Sequence, residues 1–197
     1  MSGKAPYVAP EDLQLTKEHL KGKNFKRNEA ILMFSHFLGL RAKELAALKI
    51  GDVYDVRRSM LKETIRLLGK YTKGDKYREV FLMNDEAKNI ILDYLLNDRI
   101  DLNPEAPLFL SNKKSNLRNG HFSADTMRIM IADLYKNAGV KATSHSGRRS
   151  FATNLINKNA DIFSIQQLMG HSSIQTTQEY FSSNPSKLKN ELLKLNH

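Results

Sequence analysis

Apolar residues recur along the chain with two different spacings, and the switch between them outlines its architecture. Residues 11–20 suit a short helix. Residues 27–38 place Ala30, Ile31, Met33, Phe34, Phe37 and Leu38 densely enough for a buried helix, stopped by Gly39. Residues 42–48 carry Leu45 and Leu48 at helical spacing. The pattern then becomes β-prone over 64–68 and 77–82, on either side of Lys73-Gly74-Asp75-Lys76, which predicts a hairpin with an exposed tip. Helical spacing returns after a cap at Asn84 or Asp85, with Ile90, Ile91, Tyr94 and Leu95 as the apolar stripe. Residues 103–120, with Pro104 and Pro107, read as a loop. Further helices are predicted at about 124–138, 146–158, 161–169 and 173–181, with Asp161 as an N-cap.

The fold class implied is mainly α with a small antiparallel β-sheet (α+β). Pro6 and Pro10 mark residues 1–10 as a flexible leader, and 11–185 forms the one domain expected. Residues 186–197 form a tail in which Leu188, Leu192 and Leu195 share one helical side.

Composition narrows the function. Lys and Arg number 31 against 21 Asp and Glu, a formal net charge of +10 that suits a polyanionic partner such as nucleic acid. The chain has no cysteine, which excludes disulfides, thiolate metal sites and cysteine nucleophiles. No apolar run is long enough to cross a bilayer and the first residues lack a signal-peptide core, so a soluble, cytoplasmic protein without membrane contact is expected.

Four local patterns can carry chemistry, and each alone has a plainer reading. In Gly39-Leu40-Arg41-Ala42-Lys43-Glu44, Arg41 follows a helix end; it could equally be a surface charge paired with Glu44. Lys73 at the hairpin tip could reach a leaving group or simply be solvated. In Ser144-His145-Ser146-Gly147-Arg148-Arg149, His145 and Arg148 project from one side of a helix start, where phosphate is favoured. Last comes Leu168-Met169-Gly170-His171 followed by Tyr180, which could be an ordinary half-buried aromatic.

Taken in order, Arg, Lys, His-x-x-Arg, Gly-His and Tyr resemble the catalytic domain of the tyrosine recombinases, the phage integrase family. The resemblance spans about residues 11–185, and its specific part runs from His145 through Ser150-Phe151-Ala152-Thr153 to Tyr180. It implies a site-specific DNA recombinase whose nucleophile is Tyr180, with Arg41 and Arg148 holding the non-bridging phosphate oxygens. His145 is the implied proton acceptor, His171 bonds the phosphate and can share that role, Lys73 protonates the leaving 5′-oxygen, and Glu44 orients Arg41 or His145. The reaction would pass through a 3′-phosphotyrosyl bond without metal, ATP or any other cofactor. Double-stranded DNA is the implied partner, with self-association into a tetramer on it. Lys43, Lys76, Lys113, Lys114, Arg118 and Arg149 are the further cations expected to bind nucleic acid.

A metal-dependent nuclease would want clustered carboxylates, whereas the acids here are dispersed beside lysines. Type IB topoisomerases share the chemistry, and a DNA-binding regulator of the same fold without productive cleavage is the alternative from another functional class. The family commonly has a separate N-terminal domain for which the residues before Arg41 leave no room. The expectation is either a catalytic fragment of a longer integrase or a compact member like the fimbrial invertases. After the nucleophile, family members often dock a segment on a neighbouring protomer. Leu188, Leu192, Leu193 and Leu195 suit that role or packing on their own domain.

Overall fold

Five consecutive apolar residues cover every side of a helix and must be surrounded, and in α2 (Phe25–Phe37) they are: Ala30, Ile31, Leu32, Met33 and Phe34 are all fully buried. The computed structural model describes residues 5–68, 77–99, 101–112 and 120–181. Within them α1 (Pro10–Glu18), α2, α3 (Ala42–Ala47) and α4 (Ile50–Val53) lead into β1 (Tyr54–Asp55) and β2 (Met60–Leu61). The strands β3 (Thr64–Leu67) and β4 (Arg78–Phe81) follow, then α5 (Asp85–Asn97), α6 (Ala124–Asn137), α7 (Ser146–Asn157), α8 (Ile162–Met169) and α9 (Ile174–Phe181). Packing of α2 against α5 and α7, and of α3 against α6, builds the main core.

The helix boundaries follow the local chemistry. Asn84 caps α5 by accepting from the Ala87 amide at 2.8 Å, and Asp161 caps α8 by accepting from Ser164 at 2.9 Å. Gly39 ends α2 with φ +63°, a left-handed turn in which a Cβ would sit 2.5 Å from the Phe151 ring. The β component is two separate antiparallel ribbons. One pairs β3 with β4, aligning Ile65 with Val80 and Leu67 with Arg78, as the predicted hairpin requires. The other, β1 with β2, and the short α4 lie where no element was expected. They are too short to leave a period in the sequence.

A second, smaller core forms where α7 meets α8. Ala152, Ile156, Ile165 and Met169 are fully buried there, and Tyr180 of α9 packs against them. Each of the larger side chains contributes about 1.5–3 kcal/mol by burial. This cluster sets α8 and α9, and hence His171 and Tyr180, against the helix that begins at His145.

Part of the expected loose leader is tied down. The Val8 amide donates to Ser150 Oγ at 2.9 Å, the Ser150 hydroxyl donates back to the Val8 carbonyl at 3.2 Å, and Val8 is buried. Tyr7 donates to Asn154 Oδ1 at 3.0 Å. Proline keeps this stretch extended, which leaves its backbone groups open to partners on α7. Pro10, expected to break regular structure, instead opens α1, where its missing N–H costs nothing.

Candidate active site

Arg41 stands at the N-cap of α3, directly after the left-handed turn at Gly39. Its Nη1 donates to Glu44 Oε1 at 2.8 Å, and its backbone amide donates to Glu44 Oε2 at 2.8 Å. Glu44 is no surface partner: its side chain is completely buried. Burial alone would raise its pKa, but Arg78, then Arg148, then the amide and charge of Arg41 outweigh that and hold it below the usual carboxylate range. Of the two partners expected of Glu44, Arg41 is the one that these hydrogen bonds hold.

Arg148 extends from the first turn of α7 into the interior and is 5% exposed. Its guanidinium donates to the carbonyls of Gly39, in the turn after α2, and of Met169, the last residue of α8. Burial, and then the nearby charges of Arg41 and Arg78, pull its pKa down to about 9, so it remains a cation at neutral pH. Gly147 lets α7 come this close to α2, because a Cβ there would lie 2.4 Å from Ser35 Oγ.

His145 stands at the N-cap position of α7 and, with Arg148, Arg149, Thr176, Glu179 and Tyr180, lines one open cleft. Partial loss of water, then the charges of Arg148, Arg41 and Arg128, lower its pKa below 6.5. The imidazole is therefore neutral at pH 7 and able to take a proton. His171 follows the left-handed Gly170 that ends α8. Desolvation, then Arg148, Arg41 and Arg78, lower its pKa to about 4. Its Nδ1 hydrogen-bonds Thr177 Oγ1 at 2.9 Å, so the neutral ring is fixed in orientation.

Tyr180, half-buried on α9, has its ring stacked on that of His171, with centroids 6.0 Å apart and 15° between planes. On another side Arg149 places its guanidinium carbon 5.6 Å from the ring centroid, within cation–π range. Arg148, Arg149, the neutral His145 and the Tyr180 phenol thus line one cleft, with neutral His171 stacked on the phenol and the charge of Arg41 acting on both imidazoles. Such a group can neutralise a phosphodiester, accept a proton and present a nucleophile.

The other expected residues divide in two. Lys43 is exposed on α3. Lys73, Lys76, Lys113, Lys114, Arg118 and the tail from residue 186 lie outside the described residues. Among the described residues no group of three His, Asp or Glu side chains is placed to hold a metal ion. None of the described helices is long and apolar enough to cross a membrane.

One residue of the site escaped the sequence reading. Arg78 lies on the inward side of β4 with Val80, is buried, and donates from Nη2 to Glu44 Oε2 at 2.7 Å and from Nη1 to the Leu168 carbonyl. Strand alternation held the clue, since Val80 and Leu82 turn inward and Arg78 shares their parity. A cation on an inward register position needs a buried partner.

The chain is similar to known proteins in both sequence and fold. The sequence pattern of the phage integrase family matches residues 9–187. Tyrosine recombinase XerH of Campylobacter jejuni is 28% identical over 191 residues, covering 93% of this chain and 50% of the relative. The crystal structure of XerA recombinase superposes with a TM-score of 0.73 at 31% identity, covering all of this chain and 66% of the other. That of XerH site-specific recombinase bound to difH substrate, a pre-cleavage complex, gives a TM-score of 0.66 at 26% identity over 89% of this chain and 49% of the other. The chain therefore spans about half to two thirds of the length of these proteins.

Proposed function

The chain belongs to the phage integrase family, and from that premise we propose that it is a tyrosine site-specific recombinase that cleaves and rejoins double-stranded DNA through Tyr180. One observation carries the reading: Tyr180 shares a cleft with His145 and Arg148 while stacked on His171.

The Tyr180 oxygen bonds to the scissile phosphorus as the bond from phosphorus to the 5′-oxygen breaks. The phenolic proton passes to neutral His145, and the departing 5′-oxygen takes one from Lys73. Arg41 and Arg148 hold the non-bridging oxygens, whose charge is most concentrated in the pentacovalent transition state, so they stabilise it more than the ground state. The product is a 3′-phosphotyrosyl bond. Attack on it by the 5′-hydroxyl of another duplex restores a phosphodiester and the phenol. One phosphodiester replaces another, so neither ATP nor a further cofactor is needed.

DNA as partner is supported by the +10 charge and by the similar XerH enzyme seen with its difH substrate before cleavage. Assembly into a tetramer on DNA, a tail from residue 186 that docks on a neighbouring protomer, and work in the cytoplasm at the nucleoid complete the proposal. Within it, 11–185 is the catalytic domain, and Lys43, Lys76, Lys113, Lys114, Arg118 and Arg149 hold the duplex.

Nicked duplexes prepared from sheared genomic DNA of the source organism test the reading, because a nick just 3′ of the cut lets the short fragment with the free 5′-hydroxyl diffuse away and traps the enzyme on the 3′-phosphate. The recombinase retains DNA through denaturation and Tyr180→Phe does not. A protein that binds the same duplexes but never retains them is the regulator of the alternative reading.

A further inference from the structure

We propose that Arg78 is a positioning residue for strand cleavage, a strut that locks the His171 and Tyr180 segment in register with the Arg41 and Arg148 pair. The inference deepens the recombinase reading and rests on it for the reaction affected.

The observation is a three-point bridge. From β4, Arg78 Nη2 reaches Glu44 Oε2 at 2.7 Å, the same oxygen that accepts the Arg41 amide at 2.8 Å. Its Nη1 reaches the carbonyl of Leu168 in the last turn of α8. A helix end leaves such carbonyls without partners inside the helix, so a guanidinium there fills a real vacancy. The third point is steric. Gly170 turns with φ +58°, and a Cβ on it would lie 2.6 Å from Arg78 Cδ, so the arginine stem packs where any side chain at 170 would stand. The turn that delivers His171 is thereby formed against Arg78.

Arg148 makes the neighbouring link, to the Met169 carbonyl and the Gly39 carbonyl. Two guanidiniums thus bond consecutive carbonyls of α8 to elements that carry Arg41. Arg148 is committed to the phosphate in the reaction, whereas Arg78 is 7% exposed and tied to Glu44 on its other side. A division of labour follows, in which Arg148 binds the reacting group and Arg78 holds the frame. Lysine cannot replace it, because a single ammonium lacks the planar fork that reaches both acceptors at fixed separation. Misplacement of a reacting group by about 1 Å costs on the order of a hundredfold in rate, so loosening this turn should act on chemistry far more than on binding.

Two measurements decide it. On a nicked duplex that the wild-type protein captures, Arg78→Met should form the covalent adduct at least about tenfold more slowly. DNA affinity, measured in the Tyr180→Phe background, should stay within about twofold, because the buried Arg78 is already committed to Glu44 and the Leu168 carbonyl. Arg78→Lys should recover only part of the rate. Independently of any reaction, amide hydrogen exchange should speed up at Gly170 and His171 in Arg78→Met while α2 and α5 keep their protection. An adduct rate within twofold of wild type, unchanged exchange at Gly170 and His171, or a rate that falls only in proportion to affinity overturns the strut. If Arg78→Met does not fold, Arg78→Lys decides, since its stem preserves the packing on Gly170; wild-type rate and exchange in that variant overturn the proposal. Should wild-type protein form no adduct, the recombinase reading is what fails, and the exchange data still judge the strut.

Discussion

Arg148 and Gly39 are joined by a buried hydrogen bond across 109 residues of sequence, the guanidinium donating to the carbonyl in the turn after α2. The same side chain donates to the Met169 carbonyl, so the arginine proposed to hold the phosphate is also a tie between three helix ends. Arg148→Lys keeps the charge but cannot serve both carbonyls and a phosphate. Its adduct formation should fall by about a hundredfold or more, the scale of losing one preorganised donor. Thermal unfolding of the same variant should register a loss of about 1–3 kcal/mol for each carbonyl left without a donor. Wild-type rate in Arg148→Lys would mean that the planar fork is not what the site uses.

Gly147 should be irreplaceable for a different reason. A Cβ at this position meets Ser35 Oγ at 2.4 Å and His36 Cδ2 at 2.8 Å, so Gly147→Ala must push α7 off α2. Overpacking of this kind costs about 1–3 kcal/mol, and the displaced helix carries His145 and Arg148 with it. Both stability and adduct formation are expected to drop, in contrast to Gly139→Ala, where no atom lies within 4 Å of the added carbon and the strain comes only from φ +73°. Equal adduct rates in the two variants would separate the α2–α7 spacing from catalysis.

Acid should destabilise the fold through His36. This histidine is buried, hydrogen-bonds the Tyr135 hydroxyl at 2.8 Å, and has its pKa lowered by burial from 6.5 to about 4. Below pH 6.5 the unfolded chain takes up a proton that the folded chain refuses until about pH 4. Stability is therefore full above 6.5 and falls as the pH drops toward 4, by roughly 3 kcal/mol in all. Urea unfolding of wild type and His36→Gln at pH 7 and pH 4.5 measures this, and the variant should lose markedly less on acidification. An identical loss in both proteins would assign the acid sensitivity to other groups.

Binding to duplex DNA should weaken steeply with salt, because each phosphate contact by Lys or Arg releases condensed counterions. Between about 50 and 200 mM salt, an interface of six or more such contacts loses on the order of a thousandfold in affinity. Fluorescence anisotropy with a labelled duplex checks the slope. A change of less than about threefold would place the +10 surface outside the DNA footprint.

Much of this was legible in the sequence wherever the cause was local. Gly39 and Asp161 act through their own turns, and the spacing of His145 and Arg148 needed only the helix period. What depends on distant partners was not legible. Spacing alone allowed Glu44 to be a surface mate of Arg41, and only the family resemblance gave it an orienting role; Arg78 and Arg148, far along the chain, are what make it a buried hub. Val8 looked like part of a loose leader because its partner, Ser150, sits 142 residues away. Arg78 was passed over for the same reason, since Glu44 and Leu168 give its inward position meaning only after folding.

The covalent bond itself gives the most direct test. Wild-type protein trapped on nicked duplex, treated with nuclease and then protease, can be searched by mass spectrometry for the peptide that retains a nucleotide. The prediction is one modified peptide, carrying a nucleotide through its phosphate on the Tyr180 oxygen, formed without added metal or ATP. A nucleotide on any other residue, or strand cleavage that leaves no nucleotide on the protein, would contradict the assignment.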